Sequence, residues 1–180
     1  KETADLFLAL IIKVLKKNGR AAVVLPDGSL FGEGVKTRIK EELLTTCNLH
    51  TIVRLPSGVF NPYTGIKTNL LFFEKGKATK ETWYYEMPYP NGIKNYSTTR
   101  PIDISHFEEI KEWWFNRIEN EYAWKVSSKE IKNRNFNLDI KNEISSEKEI
   151  AESTEELISI LETSFQRSSI ILSEIKKAFL

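Results

Sequence analysis

The residues best able to do chemistry lie in two short stretches. In the first, Pro26-Asp27-Gly28-Ser29 follows the apolar run at residues 21–25. A turn just past the carboxyl end of a covered strand is where open α/β sheets bind ligands. There Asp27 could orient a substrate group, and Ser29 could bond an amide or a phosphate. The same residues also suit a simple approach to a helix, with proline and glycine shaping the turn and Asp27 or Ser29 satisfying backbone N–H groups. The second stretch, residues 57–68, carries Phe60, Tyr63, Thr64, Lys67 and Thr68, with Asn69 directly after. A stacking ring, hydroxyls, an ammonium and an amide suit a flipped base or a nearby nucleotide better than a small anion. Phe60 could press on a base while Lys67 meets a phosphate, or Val59-Phe60 could plug the core beneath a tight turn. Arg54 is equally open between a phosphate contact and an ion pair.

Other chemistries find less support. His50 and His106 are far apart, and the lone cysteine, Cys47, neighbours only the first, whereas a metal needs clustered ligands. Asp103, Glu108, Glu109 and Glu112 read as a solvated, capping helix face. No serine has the strand-to-helix elbow of a hydrolase nucleophile. The chain shows no glycine-rich cofactor turn after a strand and no complete catalytic constellation.

The elements that must position these residues are legible from periodicity. Leu6, Leu10, Val14 and Leu8, Ile11, Leu15 recur at helical spacing and predict a helix with a broad apolar face, stopped by Asn18-Gly19. Residues 21–25 are apolar on both faces, which predicts a covered, central parallel strand. A helix over 34–46 should bury Val35, Ile39, Leu43 and Leu44. Strands at 49–55 and 68–74 flank the glycine- and proline-containing loop, and the short connection makes them an antiparallel pair. An edge-like strand at 82–87 and a connector at 88–101 follow. Residues 103–120 read as a helix with Phe107, Ile110, Trp113 or Trp114 and Ile118 inward. Residues 124–140 read as irregular but ordered, and 142–153 as a polar link. A last helix over 154–180 sets Leu161, Phe165, Leu172, Ile175 and Phe179 at nearly heptad spacing, with Ser168 as the weak layer. That helix could dock on its own domain or take a partner.

Composition sets the bounds. With 26 Lys and Arg against 25 Asp and Glu, the net charge is +1, so nucleic-acid binding would need a local basic surface. Aromatic residues at 11% argue against disorder. A single cysteine permits no internal disulfide and fits a reducing, intracellular setting; Cys47 reads as a small buried apolar residue. The apolar run at 6–15 is broken by Lys13 and is too short for a membrane span. A first residue that is not methionine, at or near the start of a helix, is expected of a span beginning within a longer protein.

The strings Gly19-Arg-Ala-Ala-Val-Val-Leu-Pro-Asp-Gly28, Val53-Arg-Leu-Pro-Ser-Gly-Val-Phe60 and Tyr63-Thr-Gly-Ile-Lys-Thr-Asn-Leu-Leu-Phe-Phe73 resemble the modification subunits of type I restriction–modification systems. The likeness continues through Ala123-Trp-Lys-Val-Ser-Ser128 and through Asn135-Phe-Asn-Leu-Asp139, where Phe136 takes the aromatic place of an Asn-Tyr-Asn-Leu segment. Such subunits are adenine-N6 DNA methyltransferases that use S-adenosylmethionine. The resemblance implies the C-terminal part of a Rossmann-like α/β methyltransferase domain: two parallel strands plus an antiparallel strand with flanking helices, then a mostly helical region. It implies catalytic-domain residues 1–100, an extension at 101–142, and a polar link with a partner-binding or coiled-coil-like helix at 143–180.

The family's glycine-rich cofactor motif and its Asn-Pro-Pro-aromatic motif are absent from this sequence and are expected upstream. No catalytic, cofactor-binding or metal-binding residue is therefore assigned here, and the span alone is expected to be inactive. By resemblance, Pro26, Asp27 and Gly28 match the strand-end turn of the active-site rim. Gly58, Phe60, Thr64, Gly65, Ile66 and Thr68 match the target-base side. Lys67 stands where the family often has proline, which loosens the backbone and adds a possible phosphate contact. Expected partners are DNA, a specificity subunit, a second modification subunit and a restriction subunit, in the cytoplasm and without a membrane. A truncated sheet is also expected to self-associate through its open edge. The alternative is a noncatalytic DNA-binding or scaffold module with the same fold.

Overall fold

In the computed structural model, helix α1 (Thr3–Val14) turns Leu8 and Ile12 into the core. Leu6, Phe7, Leu10 and Val14 face outward, so the buried stripe is narrower than the expected broad apolar face. The described residues are 3–90, 92–143, 158, 161–169 and 171–172. The chain divides into two compact units, Lys1–Asn142 and Glu143–Leu180.

After α1 the chain turns through Asn18, whose φ of 64° lies in the left-handed region that asparagine tolerates. It then enters β1 (Arg20–Pro26), a short helix α2 (Gly28–Phe31), helix α3 (Val35–Thr46) and strand β2 (Cys47–Arg54). Strand β3 (Thr68–Lys75) and strand β4 (Glu81–Glu86) follow, then a 3₁₀ turn at Ile104–Phe107, helix α4 (Glu108–Phe115), strand β5 (Ala123–Ser127) and helix α5 (Ser128–Asn133). The five strands form one sheet in the order β1-β3-β2-β4-β5. β3 lies antiparallel between β1 and β2, so those two run the same way without touching.

The sheet corrects three expectations. β1 ends the sheet rather than sitting in its middle: among the described residues its only partner strand is the antiparallel β3, and its side chains alternate in exposure. The hairpin return of β3 inserts between β1 and β2, which the apolar composition of β1 could not reveal. β4 is not an edge, because it pairs with β2 on one side and β5 on the other. Residues 124–140 are not wholly irregular, since they supply most of β5 and all of α5. The parallel β2–β4 pair needs no crossover helix. β3 has already carried the chain back to the start of β2, so the turn at 76–80 suffices.

A register shift between Leu49 and Thr51 interrupts the β2–β3 ladder. Two threonines from the next segment satisfy the backbone there. Thr79 Oγ1 donates to Cys47 O and accepts from Leu49 N, both at 2.8 Å, and Thr82 Oγ1 donates to Leu49 O at 2.8 Å. Buried polar backbone is thus paired, as a stable sheet requires.

Successive residues of β2 serve opposite faces. Ile52 joins Leu8, Ile12, Leu43, Phe73 and Leu138 in the core under α1 and α3, and Cys47 is buried there as expected. Val53 joins Tyr85, Met87, Ile110 and Trp113 beneath α4. Helix α3 buries Ile39, Leu43 and Leu44, but Val35 is exposed. Helix α4 is shorter than expected: Asp103 caps the 3₁₀ turn, and Ile118 lies beyond the helix and is exposed.

In the second unit, residues 158, 161–169 and 171–172 are helical, and Leu161, Phe165 and Leu172 are more than half exposed. Ile175 and Phe179 lie outside the described residues. No helix among the described residues is long and apolar enough to cross a membrane.

Candidate substrate-side rim

The strand ends are stitched together where the sequence places its candidate residues. Pro26 pairs with Thr68 at the end of the β1–β3 ladder, and Asp27 N donates to Lys67 O at 3.0 Å. Leu55 N donates to Thr68 O at 3.0 Å, which brings the end of β2 to the same corner. Within it, the buried Asn69 donates from Nδ2 to Asp27 Oδ1 at 2.8 Å. Arg54, opposite Asn69 in the β2–β3 register, sets Nη2 3.8 Å from Asp27 Oδ1 and 2.7 Å from Asp139 Oδ1. Its Nη1 donates to Ile140 O at 3.4 Å. The Arg54 side chain is only 11% exposed, so these carboxylates are its compensation for leaving water. Between the two roles that the sequence leaves open, Arg54 is the ion-paired one.

Asp139 reaches Arg54 through a strained turn. Ser127 caps α5, accepting from Glu130 N at 3.2 Å. Beyond the helix, Asn135 and Phe136 adopt φ of 53° and 58°. Left-handed backbone costs an L-residue about 1–2 kcal/mol, which the surroundings must offset. Phe136 N donates to Ile131 O at 2.9 Å, and Leu138 N donates to Leu30 O at 3.0 Å, with the Leu138 side chain buried in the main core. Asn137 Oδ1 then accepts from Asp139 N at 2.8 Å. The consecutive left-handed pair reverses the chain so that Asp139 faces β2.

The loop between β2 and β3 is held from outside. Gly58 has φ of 82°, and a Cβ there would lie 2.5 Å from Tyr96 O, so only glycine fits. Asn61 Nδ2 donates to Tyr96 O at 3.0 Å, and Tyr89 OH donates to Ser57 O at 3.1 Å. Val59 packs against the core, whereas Phe60 is exposed, as are Tyr63 and Lys67. Phe60 is thus not the plug. Thr64 Oγ1 accepts from Ile66 N at 3.1 Å, and a Cβ on Gly65 would meet nothing within 4 Å.

On the other side of the corner, Gly28 O accepts from Lys36 Nζ at 3.1 Å. Lys40 Nζ, buried, donates to Leu30 O at 2.7 Å and Gly32 O at 2.8 Å. Burial, with Lys36 nearby, lowers the Lys40 ammonium to about 8. The Ser29 hydroxyl is buried and has no hydrogen-bond partner. Among the described residues no group of three His, Cys, Asp or Glu could hold a metal ion.

The structure therefore gathers Pro26, Asp27, Lys67 and Thr68 at one corner, with Gly28 following Asp27 and with Phe60, Thr64 and Gly65 on the adjoining loop. Asn69, which the sequence offers as an amide for a base, instead holds Asp27, and Asp139, which sequence reasoning missed, completes the corner. A signal existed in Asn135-Phe-Asn-Leu-Asp139, whose last residue carries the charge that answers Arg54.

A model of the N-6 DNA methylase family matches residues 1–152. The methylase subunit of the type I restriction enzyme EcoEI from Escherichia coli is 65% identical over 149 residues, covering 79% of this chain and 30% of that protein. A chain from a structural study of complex assembly and conformational transition in the type I R-M system has a TM-score of 0.75 at 36% identity, covering 98% of this chain and 39% of that one. The M protein of EcoKI, an enzyme of E. coli strain K12, has a TM-score of 0.64 at 29% identity, with 78% and 37% covered. The chain spans well under half the length of each. Its mixed sheet with flanking helices is the fold of type I methyltransferase subunits, and the chain belongs to the N-6 DNA methylase family.

Proposed function

We propose that this chain builds the substrate-side wall of a type I methyltransferase subunit that transfers a methyl group to adenine N6 in DNA. The carrying observation is the corner where Asp27, Asn69, Arg54 and Asp139 lock together beside a pinned loop that leaves Phe60 and Lys67 outward. An exocyclic amine is a poor nucleophile, so the enzyme's task is alignment and charge stabilisation. S-adenosylmethionine, when bound, supplies an electrophilic methyl group on a sulfonium.

On this reading the residues of this wall serve the base side of the site. Asn69 and Arg54 both meet Asp27 at Oδ1, which fixes the carboxylate at the turn. Phe60 stacks on the extruded adenine, Lys67 meets a flanking phosphate, and the Pro26-Asp27-Gly28 turn sets the rim with Thr64, Gly65 and Thr68. Extrusion costs a few kcal/mol, which stacking and edge contacts repay. The clamp keeps the wall rigid, so that the ring waits in place.

On this reading, residues 1–100 belong to the catalytic domain and 101–142 extend it, while 143–180 meet another subunit. The full protein works in the cytoplasm with DNA, a specificity subunit, a second modification subunit and a restriction subunit. The test uses the full-length protein with and without its specificity subunit, following labelled methyl transfer to DNA. Label on adenine N6 that requires the partner, and a raised KM for DNA in Phe60→Ala, are expected. Absence of label with a correctly assembled complex overturns the reading.

A further inference from the structure

A second site lies toward the other end of β2 from the corner. His50 is four residues from Arg54, about 13 Å along an extended strand. Beside it opens a cleft of 940 Å³ lined by His50, Lys77, Lys80, Glu81, Trp83 and Arg117, among others. That volume suits a nucleotide-sized ligand.

Arg117 is the informative residue. Its guanidinium lies 4.7 Å from the Trp114 ring centre and 5.4 Å from that of Trp113. Its hydrogen bond is a long one, from Nη1 to His50 O at 3.4 Å. Among the described residues no carboxylate pairs with it. Burial lowers its pKa, and the two indole faces with the His50 carbonyl are what hold it in place. No carboxylate among the described residues neutralises this half-buried charge, which leaves it able to meet an arriving anion.

The platform beneath is rigid. Trp113 donates from Nε1 to Ile118 O at 3.1 Å and meets Trp83 edge-on at 5.7 Å. Trp114 meets Phe72 at 4.9 Å and His50 at 5.9 Å. Lys77 and Lys80 stand exposed on the turn at 76–80, which is fastened by Gly76 N to Thr46 O at 3.0 Å and Thr79 N to Leu44 O at 2.9 Å. The acid of the rim, Glu81, is engaged by Lys125 at 3.4 Å. Three cations therefore face the cleft against one rim carboxylate, Glu81, which Lys125 pairs.

We propose that this cleft binds phosphate groups, either those of a nucleic-acid strand or those of a free nucleotide. A guanidinium fork with two ammonium groups lining the same cleft matches phosphate oxygens. The proposal stands on the cleft's own residues and does not depend on the methyl-transfer reading.

The experiment measures binding of fluorescein-labelled dT8 to the full chain by anisotropy across a salt series. Competition arms contain unlabelled dTMP or an octaglutamate peptide. Three phosphate contacts predict a slope of about −2 for log K against log salt, and losing one cation should lessen it by about 0.7. Arg117→Gln should weaken binding about tenfold. Lys80→Gln, at an exposed position, gives the same slope change without disturbing the aromatic platform. Competition by dTMP identifies a free nucleotide as the source; binding of dT8 alone identifies a strand. The proposal is overturned if neither ligand binds, if both variants bind dT8 like the unaltered chain, or if octaglutamate competes better than the nucleotides, which would identify an acidic protein partner.

Discussion

Replacing Arg54 by alanine tests whether the corner is held by charge. At an effective dielectric constant of about 20, charges at the observed 2.7 and 3.8 Å attract by about 6 and about 4 kcal/mol respectively. Most of that attraction is offset, because withdrawing a guanidinium from water costs several kcal/mol. Removing one partner of a fully buried pair costs about 3–5 kcal/mol. Here Asp139 and Asp27 are 32% and 27% exposed, so water recovers part of the loss. Asp27 also keeps its bond from Asn69. The expected loss is then about 2 kcal/mol. Urea unfolding followed by tryptophan fluorescence reads it directly, since Trp124 stacks on the buried Tyr84 at 5.2 Å. Arg54→Lys should recover only part of the stability, because an ammonium cannot reproduce the fork. An Arg54→Ala, Asp139→Ala cycle should show a coupling of about 1 kcal/mol. A loss below about 0.5 kcal/mol, the range of ordinary surface changes, would refute the clamp, and so would additive single variants.

Four other outcomes follow from particular atoms. Gly58→Ala should cost about 2–3 kcal/mol, through left-handed backbone and a contact with Tyr96 O. Gly65→Ala should be neutral or stabilise by a few tenths of a kcal/mol, so matched urea midpoints for the pair check both. Lys40 titrates near 8 in the folded chain against 10.5 unfolded, so the unfolded state binds more protons between those values. Unfolding free energy should therefore rise from about pH 8 to about pH 10.5, by at most about 3 kcal/mol. Comparing pH series for the chain and Lys40→Met isolates the rise, and an equal rise in both would contradict the assignment. Finally, among the described residues β1 has only one partner strand, and Val24 on it is exposed. Sedimentation across a concentration series should show self-association of the chain, reduced in Val24→Lys; a monomer throughout would count against it.

Much of the architecture is legible along the chain because it is local. Helical spacing in α1 and α3, the antiparallel return of β3 after a short loop, and the buried Cys47 at the α3–β2 junction all follow from neighbouring residues. The strings at 19–28, 53–60 and 63–73 likewise point to the family. What the sequence could not settle is long-range. That β1 borders the sheet depends on where β3 inserts, and apolar residues suit a strand at either place. β4 is interior only because β5 forms about forty residues later. Phe60 and Val59 are adjacent hydrophobic residues; which one enters the core depends on how the distant Tyr96 and Tyr89 fasten Asn61 and Ser57 on either side. Asp139 meets Arg54 only through two consecutive left-handed residues, a conformation that local propensity disfavours and that tertiary contacts enforce. Local periodicity decides which segments become helices and strands. The partners of charges and the order of strands arise only when distant segments close on one another.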